Sequence, residues 1–220
     1  MLIGFGWPTE GVLFVMMLSV AAYFVQQLTG GYGGFTETYW LEPTKVVYGR
    51  RYWQLATHLF LHDPRDLSHL LFNLFALWMF GPAVEVTMGG SLPFLLYFLF
   101  TGMGAGLLTI YMNYRREKSL VNAPPSLGAS GAIYGLLIAY AVMLPDAYVP
   151  FILPPAPIPA RLAVIIVGAL TVFAEIYRAR SLRMSMNTFN ATASRVNHLA
   201  HLGGLLFGLL YFTGRVWLGY

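Results

Sequence analysis

"SLPFLLYFLFTGMGAGLLTIYMN", residues 91–113, contains no Asp, Glu, Lys, Arg or His. Wound as an α-helix it would be about 35 Å long, enough to cross the roughly 30 Å hydrocarbon core of a bilayer. An open sheet at that depth would leave backbone groups unpaired in lipid, so helix is the expected state. Five further stretches read the same way: 10–28, 67–86, 127–145, 158–177 and 198–218. The prediction is an all-α membrane protein, a six-transmembrane-helix bundle with no internal strand, forming a single domain over residues 1–220.

Composition points in the same direction. Of 220 residues, 57% are hydrophobic and only 10% charged, and the mean hydropathy is +0.62. Soluble domains carry about 25% charged residues, so this chain lacks the polar surface to face water all round. The absence of cysteine excludes disulfide frameworks and thiol chemistry. The net charge of +4 comes from basic residues scattered between apolar runs, a pattern suited to lipid headgroups and not to nucleic acid. The first eighteen residues, "MLIGFGWPTEGVLFVMML", show neither a basic leader nor a small-residue cleavage site, and are expected to be a retained first span.

The connection 29–66 opens with "TGGYGGF" and carries Tyr32, Phe35, Tyr39, Trp40, Tyr48, Tyr52 and Trp53. That much aromatic area suits the headgroup interface, so we expect a long, packed, partly membrane-embedded interfacial loop and not a flexible linker. "PFILPPAPIP" at 150–159 reads as a proline-rich turn, and there is no internal repeat. Segments 29–66, 114–125 and 178–197 fall on one side of the bilayer and hold all the Lys and Arg except Arg161 and Arg215. By charge alone, that side would be cytoplasmic.

Polar groups inside lipid-like spans are costly and point to function by default. His69 and Asn73 are four apart and leave one face of the second span; His198 and His201 are three apart on the sixth. Ser130 opens the fourth, in Gly128-Ala129-Ser130-Gly131, which is not the Gly-x-Ser-x-Gly elbow of soluble hydrolases. Glu175 lies near the end of the fifth. Glycines at 131/135 and 204/208 allow the fourth and sixth helices to approach closely. A histidine from the sixth span can then reach Ser130 and act as its base. His69 and Asn73 can supply N–H groups to a tetrahedral oxyanion. These are the parts of an acyl-transfer site without an aspartate.

Each residue alone has a blander reading. A single Ser in a transmembrane helix usually bonds back to a carbonyl or packs, and His69 with Asn73 can be interhelical glue. His198 or His201 can serve a proton relay or a metal. His58, His62 and His69 with Asp63 and Asp66 can be imagined as a metal set, but no His-Glu-x-x-His signature exists, and His58 and His62 read as structural or interfacial. Four polar residues on three spans, all near one membrane face, outweigh these separate readings.

Taken together, the chain resembles the rhomboid intramembrane serine proteases, specifically the short bacterial six-span type. The similarity rests on "YWQLATHLFLH" (52–62), "SHLLFNLFALWMFGPAVE" (68–85), "LGASGAIYG" (127–135) and "HLAHLGGLLFGLL" (198–210). The resemblance implies a rhomboid-like fold, Ser130 as nucleophile and His201 as general base. It also implies an oxyanion hole from His69, Asn73 and the Ser130 N–H, with Tyr134 packed on the imidazole and Gly128 as the small residue beside the serine. Trp53-Gln54 stands where the family often has Trp-Arg, and "DPRD" (63–66) is a local difference resembling an insertion. The resemblance further implies cleavage of single-span membrane-protein substrates from a multi-pass position in the cell (inner) membrane, with no cofactor and no metal. The family topology puts the site on the extracytoplasmic side, opposite to the charge count, and the resemblance is followed here. The sequence names no oligomeric state. Two rival readings are an inactive relative that binds transmembrane helices and a small transporter. The first would be expected to lack Ser130 or His201, and the second to show half-helix repeats.

Overall fold

A computed structural model of the chain describes residues 7–150, 157–184 and 198–217. The start of the N-terminal reading, the middle of the proline-rich turn, the 185–197 connection and the side chain of Glu175 lie outside the described residues. Each of the six apolar stretches is a helix: α1 (Glu10–Leu28), α5 (Leu67–Met88), α6 (Ser91–Glu117), α7 (Ser130–Met143), α8 (Ala160–Met184) and α9 (His198–Trp217). Among the described residues, α1, α5 and α6 are long and apolar enough to cross a membrane.

Segment 29–66 is built from short helices: α2 (Phe35–Tyr39), α3 (Pro43–Val47), α4 (Gln54–Thr57) and a 3₁₀ turn at His58–Phe60. Buried amides hold it in place. Gln26 of α1 donates to Thr36 Oγ1 and the His62 carbonyl, and accepts from the His62 N–H. Gln54 donates to the Thr38 carbonyl at 3.0 Å and accepts from the Glu42 N–H at 3.1 Å. A neutral amide thus anchors the loop at the position where the family often carries arginine. Contrary to the strand-free expectation, the proline-rich turn is flanked by β1 (Tyr148–Pro150) and β2 (Pro157–Pro159), paired antiparallel. Proline's fixed φ favours extended backbone, which accounts for three-residue strands here.

The bundle is organised around α7, which packs against α5, α6, α8 and α9. A side chain at Gly204 of α9 would put its Cβ 1.9 Å from the Gly131 carbonyl oxygen of α7, and one at Gly203 would meet the Ala105 Cα of α6 at 2.6 Å. Backbone therefore lies directly on backbone, which only small residues permit. The large apolar side chains Phe24, Phe72 and Leu92 point outward and are exposed, whereas Gln26, Asn73 and Glu85 are buried. This is the reverse of a soluble surface.

Glu85 ties α1 to α5. Its carboxylate accepts hydrogen bonds from Thr9 Oγ1, from the Gly11 and Val12 N–H groups at 2.9 and 2.8 Å, and from Ser91 Oγ at 2.7 Å. The first turn of α1 has donors with no intrahelical acceptor, and a negative group there also suits the helix dipole. Bonds to a charged acceptor are each worth roughly 1.5–3 kcal/mol.

Candidate active site

Helix α5 starts at Leu67 because Asp66 caps it, its Oδ1 accepting from the Ser68 N–H at 3.1 Å. That start places His69 and Asn73 one turn apart at the top of the helix. Helix α7 starts at Ser130 itself, preceded by Gly128 at φ +119°, a conformation that side chains rarely adopt. The approach to Ser130 is pinned on both sides. Ser126 exchanges two backbone bonds with Leu41 at 2.9 Å, and the Gly128 N–H donates to the His58 carbonyl at 2.9 Å.

The residues singled out from sequence meet in one cavity of about 340 Å³, lined by His69, Asn73, Gly128, Ser130, Tyr134 and His201. His201 Nε2 lies 2.9 Å from Ser130 Oγ. The imidazole stacks on the Tyr134 ring, with centroids 4.2 Å apart and planes 9° from parallel. Being the first helical residue, Ser130 has no preceding turn to bond back to, and its hydroxyl meets the histidine instead. His201 is buried at 8% exposure, which restricts the ring to this stacked position.

Donors converge on the same cavity. Ala129 offers no side-chain cap, so the N–H groups of the first turn of α7, Ser130 included, have no intrahelical acceptor. Gly128 sits against His69: a Cβ there would lie 2.9 Å from both Cε1 and Nε2 of the ring. Asn73 Nδ2 donates one hydrogen to the His69 carbonyl at 2.6 Å, and the amide carries a second. The second histidine of α9, His198, packs edge-on to His201 at 6.0 Å.

His58 borders the same cavity, whereas His62 does not line it. Burial lowers the pKa of His58 to about 4, partly offset by its bond to the Gln54 carbonyl, so the ring is neutral at physiological pH. Burial also lowers that of His62 to about 3, with His69 adding to the shift. One contribution escaped the sequence reading, which weighed Asp63 only as a conceivable metal ligand: its backbone N–H donates to His69 Nδ1 at 3.3 Å.

The profile of the Rhomboid domain matches residues 49–217. The chain belongs to the rhomboid family. It is 36% identical over 136 residues to "Rhomboid protease GluP" of Bacillus subtilis (strain 168), covering 60% of this chain and 24% of that protein. With "Rhomboid protein 1, mitochondrial" of Saccharomyces cerevisiae it shares 30% over 147 residues, 67% of this chain and 38% of the yeast one. The human "Presenilin-associated rhomboid-like protein, mitochondrial" is 29% identical over 150 residues, 67% of this chain and 34% of that protein. This rhomboid thus matches between about a quarter and two fifths of the length of these relatives. It is a membrane protein of a family that includes proteases.

Proposed function

We propose that this rhomboid is an intramembrane serine endopeptidase using Ser130 and His201. The observation that carries the reading is the 2.9 Å contact between Nε2 and Oγ inside a cavity lined with hydrogen-bond donors. His201 takes the Ser130 proton as Oγ attacks the scissile carbonyl, then delivers it to the leaving amine. Water hydrolyses the acyl-enzyme by the same proton path in reverse. The developing oxyanion is held by the Ser130 N–H, His69 Nε2 and Asn73 Nδ2. Among the described residues no aspartate is bonded to His201, and stacking on Tyr134 orients the base.

In this reading the whole chain is one six-span domain, and substrates are single-span membrane proteins with small, helix-breaking residues near the cleaved bond. Helix α7 has 14 residues, about 21 Å of rise, so its N-terminus sits short of a full bilayer thickness. Non-helical backbone at that depth is tolerated where it lines a wet cavity, which suits the segment ending at Gly128. The loop 29–66 lies in the interface and governs access together with α8.

The test is incubation of the purified protein in detergent with labelled single-span peptides beside Ser130→Ala; cleavage that persists in the variant rejects the reading. Replacing His69 or Asn73 by alanine should lower kcat by about 10²–10³-fold with KM little changed. An unchanged kcat would remove that residue from the oxyanion hole. We place the site on the extracytoplasmic side of the cell (inner) membrane. A C-terminal tag should then be accessible from the cytoplasm only, and labelling from outside would reverse the orientation.

A further inference from the structure

The Asp63-Pro64-Arg65-Asp66 turn has a role that the dyad does not use. The Asp63 peptide N–H points at His69 Nδ1, 3.3 Å away. A peptide N–H can only donate, so Nδ1 must present its lone pair, and in a neutral imidazole the proton then resides on Nε2. That edge of the ring lies against Gly128, two residues before Ser130.

The turn is held from several sides. Asp63 Oδ1 accepts from Tyr32 Oη at 2.5 Å and from the Arg65 N–H at 2.9 Å. The Arg65 guanidinium lies 5.0 Å above the Tyr32 ring. Gln27 of α1 donates to the Pro64 carbonyl at 2.8 Å. The His62 ring packs edge-on to His69 with centroids 5.2 Å apart.

We propose that this turn selects the Nε2–H tautomer of His69, with Asp63 and Tyr32 as positioning residues. The opposite tautomer would aim a lone pair at the developing oxyanion and repel it. The inference rests on His69 being an oxyanion donor, and goes beyond it by naming what makes it one. The Asp63 carboxylate holds the turn through its Oδ1.

The test combines ¹⁵N-histidine NMR with kinetics. In the Ser130→Ala protein, with the His69 signals assigned by loss in a His69→Gln partner, Nδ1 should be unprotonated and Nε2 protonated. Asp63→Ala and Tyr32→Phe should lower kcat by about tenfold with KM unchanged, the worth of one well-placed hydrogen bond. Asp63→Asn keeps both the N–H and an oxygen acceptor, and should restore most of the rate. A proton on Nδ1 of His69 overturns the proposal outright and leaves the Ser130–His201 reading standing. Equal losses in Asp63→Asn and Asp63→Ala overturn the holding role in favour of charge. Failure of the dyad reading has a different signature, cleavage that survives Ser130→Ala.

Discussion

Replacing Ser130 or His201 by alanine should reduce peptide cleavage by on the order of 10⁶-fold, the loss seen when a serine hydrolase loses its nucleophile or base. The double variant should be no slower than either single one, because the two groups act as a unit. Stability should separate the two substitutions. Ser130→Ala removes one partly buried hydrogen bond, about 1 kcal/mol, and leaves the bundle intact. His201→Ala also empties the space beside Tyr134, so His201→Gln, which keeps volume there, is the cleaner control. Additive losses in the double variant would mean that the two residues work independently, contrary to a dyad.

The second large effect concerns a residue that touches no substrate. Gly204→Ala would place a methyl group 1.9 Å from the Gly131 carbonyl oxygen and 3.1 Å from Tyr134 Cβ. Neither neighbour is the end of a flexible side chain, so α9 must shift away from α7 by about 1 Å or more. Gly131 follows the nucleophile directly, and Gly204 lies one helical turn beyond His201. The shift therefore opens the Oγ–Nε2 contact. A misplacement of that size costs about 10²-fold in rate, and overpacking costs a further 1–3 kcal/mol in stability. Gly214 on the same helix is the internal control, since a Cβ there meets nothing within 4 Å. Gly214→Ala should leave cleavage unchanged. Wild-type turnover in Gly204→Ala would show that the close approach of α7 and α9 is unimportant to the site.

Much of this architecture was legible because lipid imposes a simple rule of length and apolarity. The first stretch coincides with α1, and the second runs two residues further to Met88 before Gly89, at φ +92°, ends the helix. The third continues to Glu117 because Arg115 and Arg116 suit a helix C-terminus at the interface. The polar residues on three spans were visible as costly exceptions, and His69, Asn73, Ser130 and His201 do line one cavity. Hydropathy says nothing about how polar side chains pair across the chain. The clamps made by Gln26, Gln54 and Glu85 were therefore hidden. The β1–β2 pair was hidden too, since three residues carry no readable period. The His69 tautomer depends on the direction of a single peptide N–H, which no residue identity encodes.

The most direct measurement is labelling of the purified protein with a fluorophosphonate probe, followed by peptide mapping in a mass spectrometer. An adduct on Ser130 is expected, absent from Ser130→Ala and formed far more slowly in His201→Ala. Labelling that persists without the Ser130 hydroxyl, or a rate indifferent to the loss of His201, would contradict an activated serine at this position.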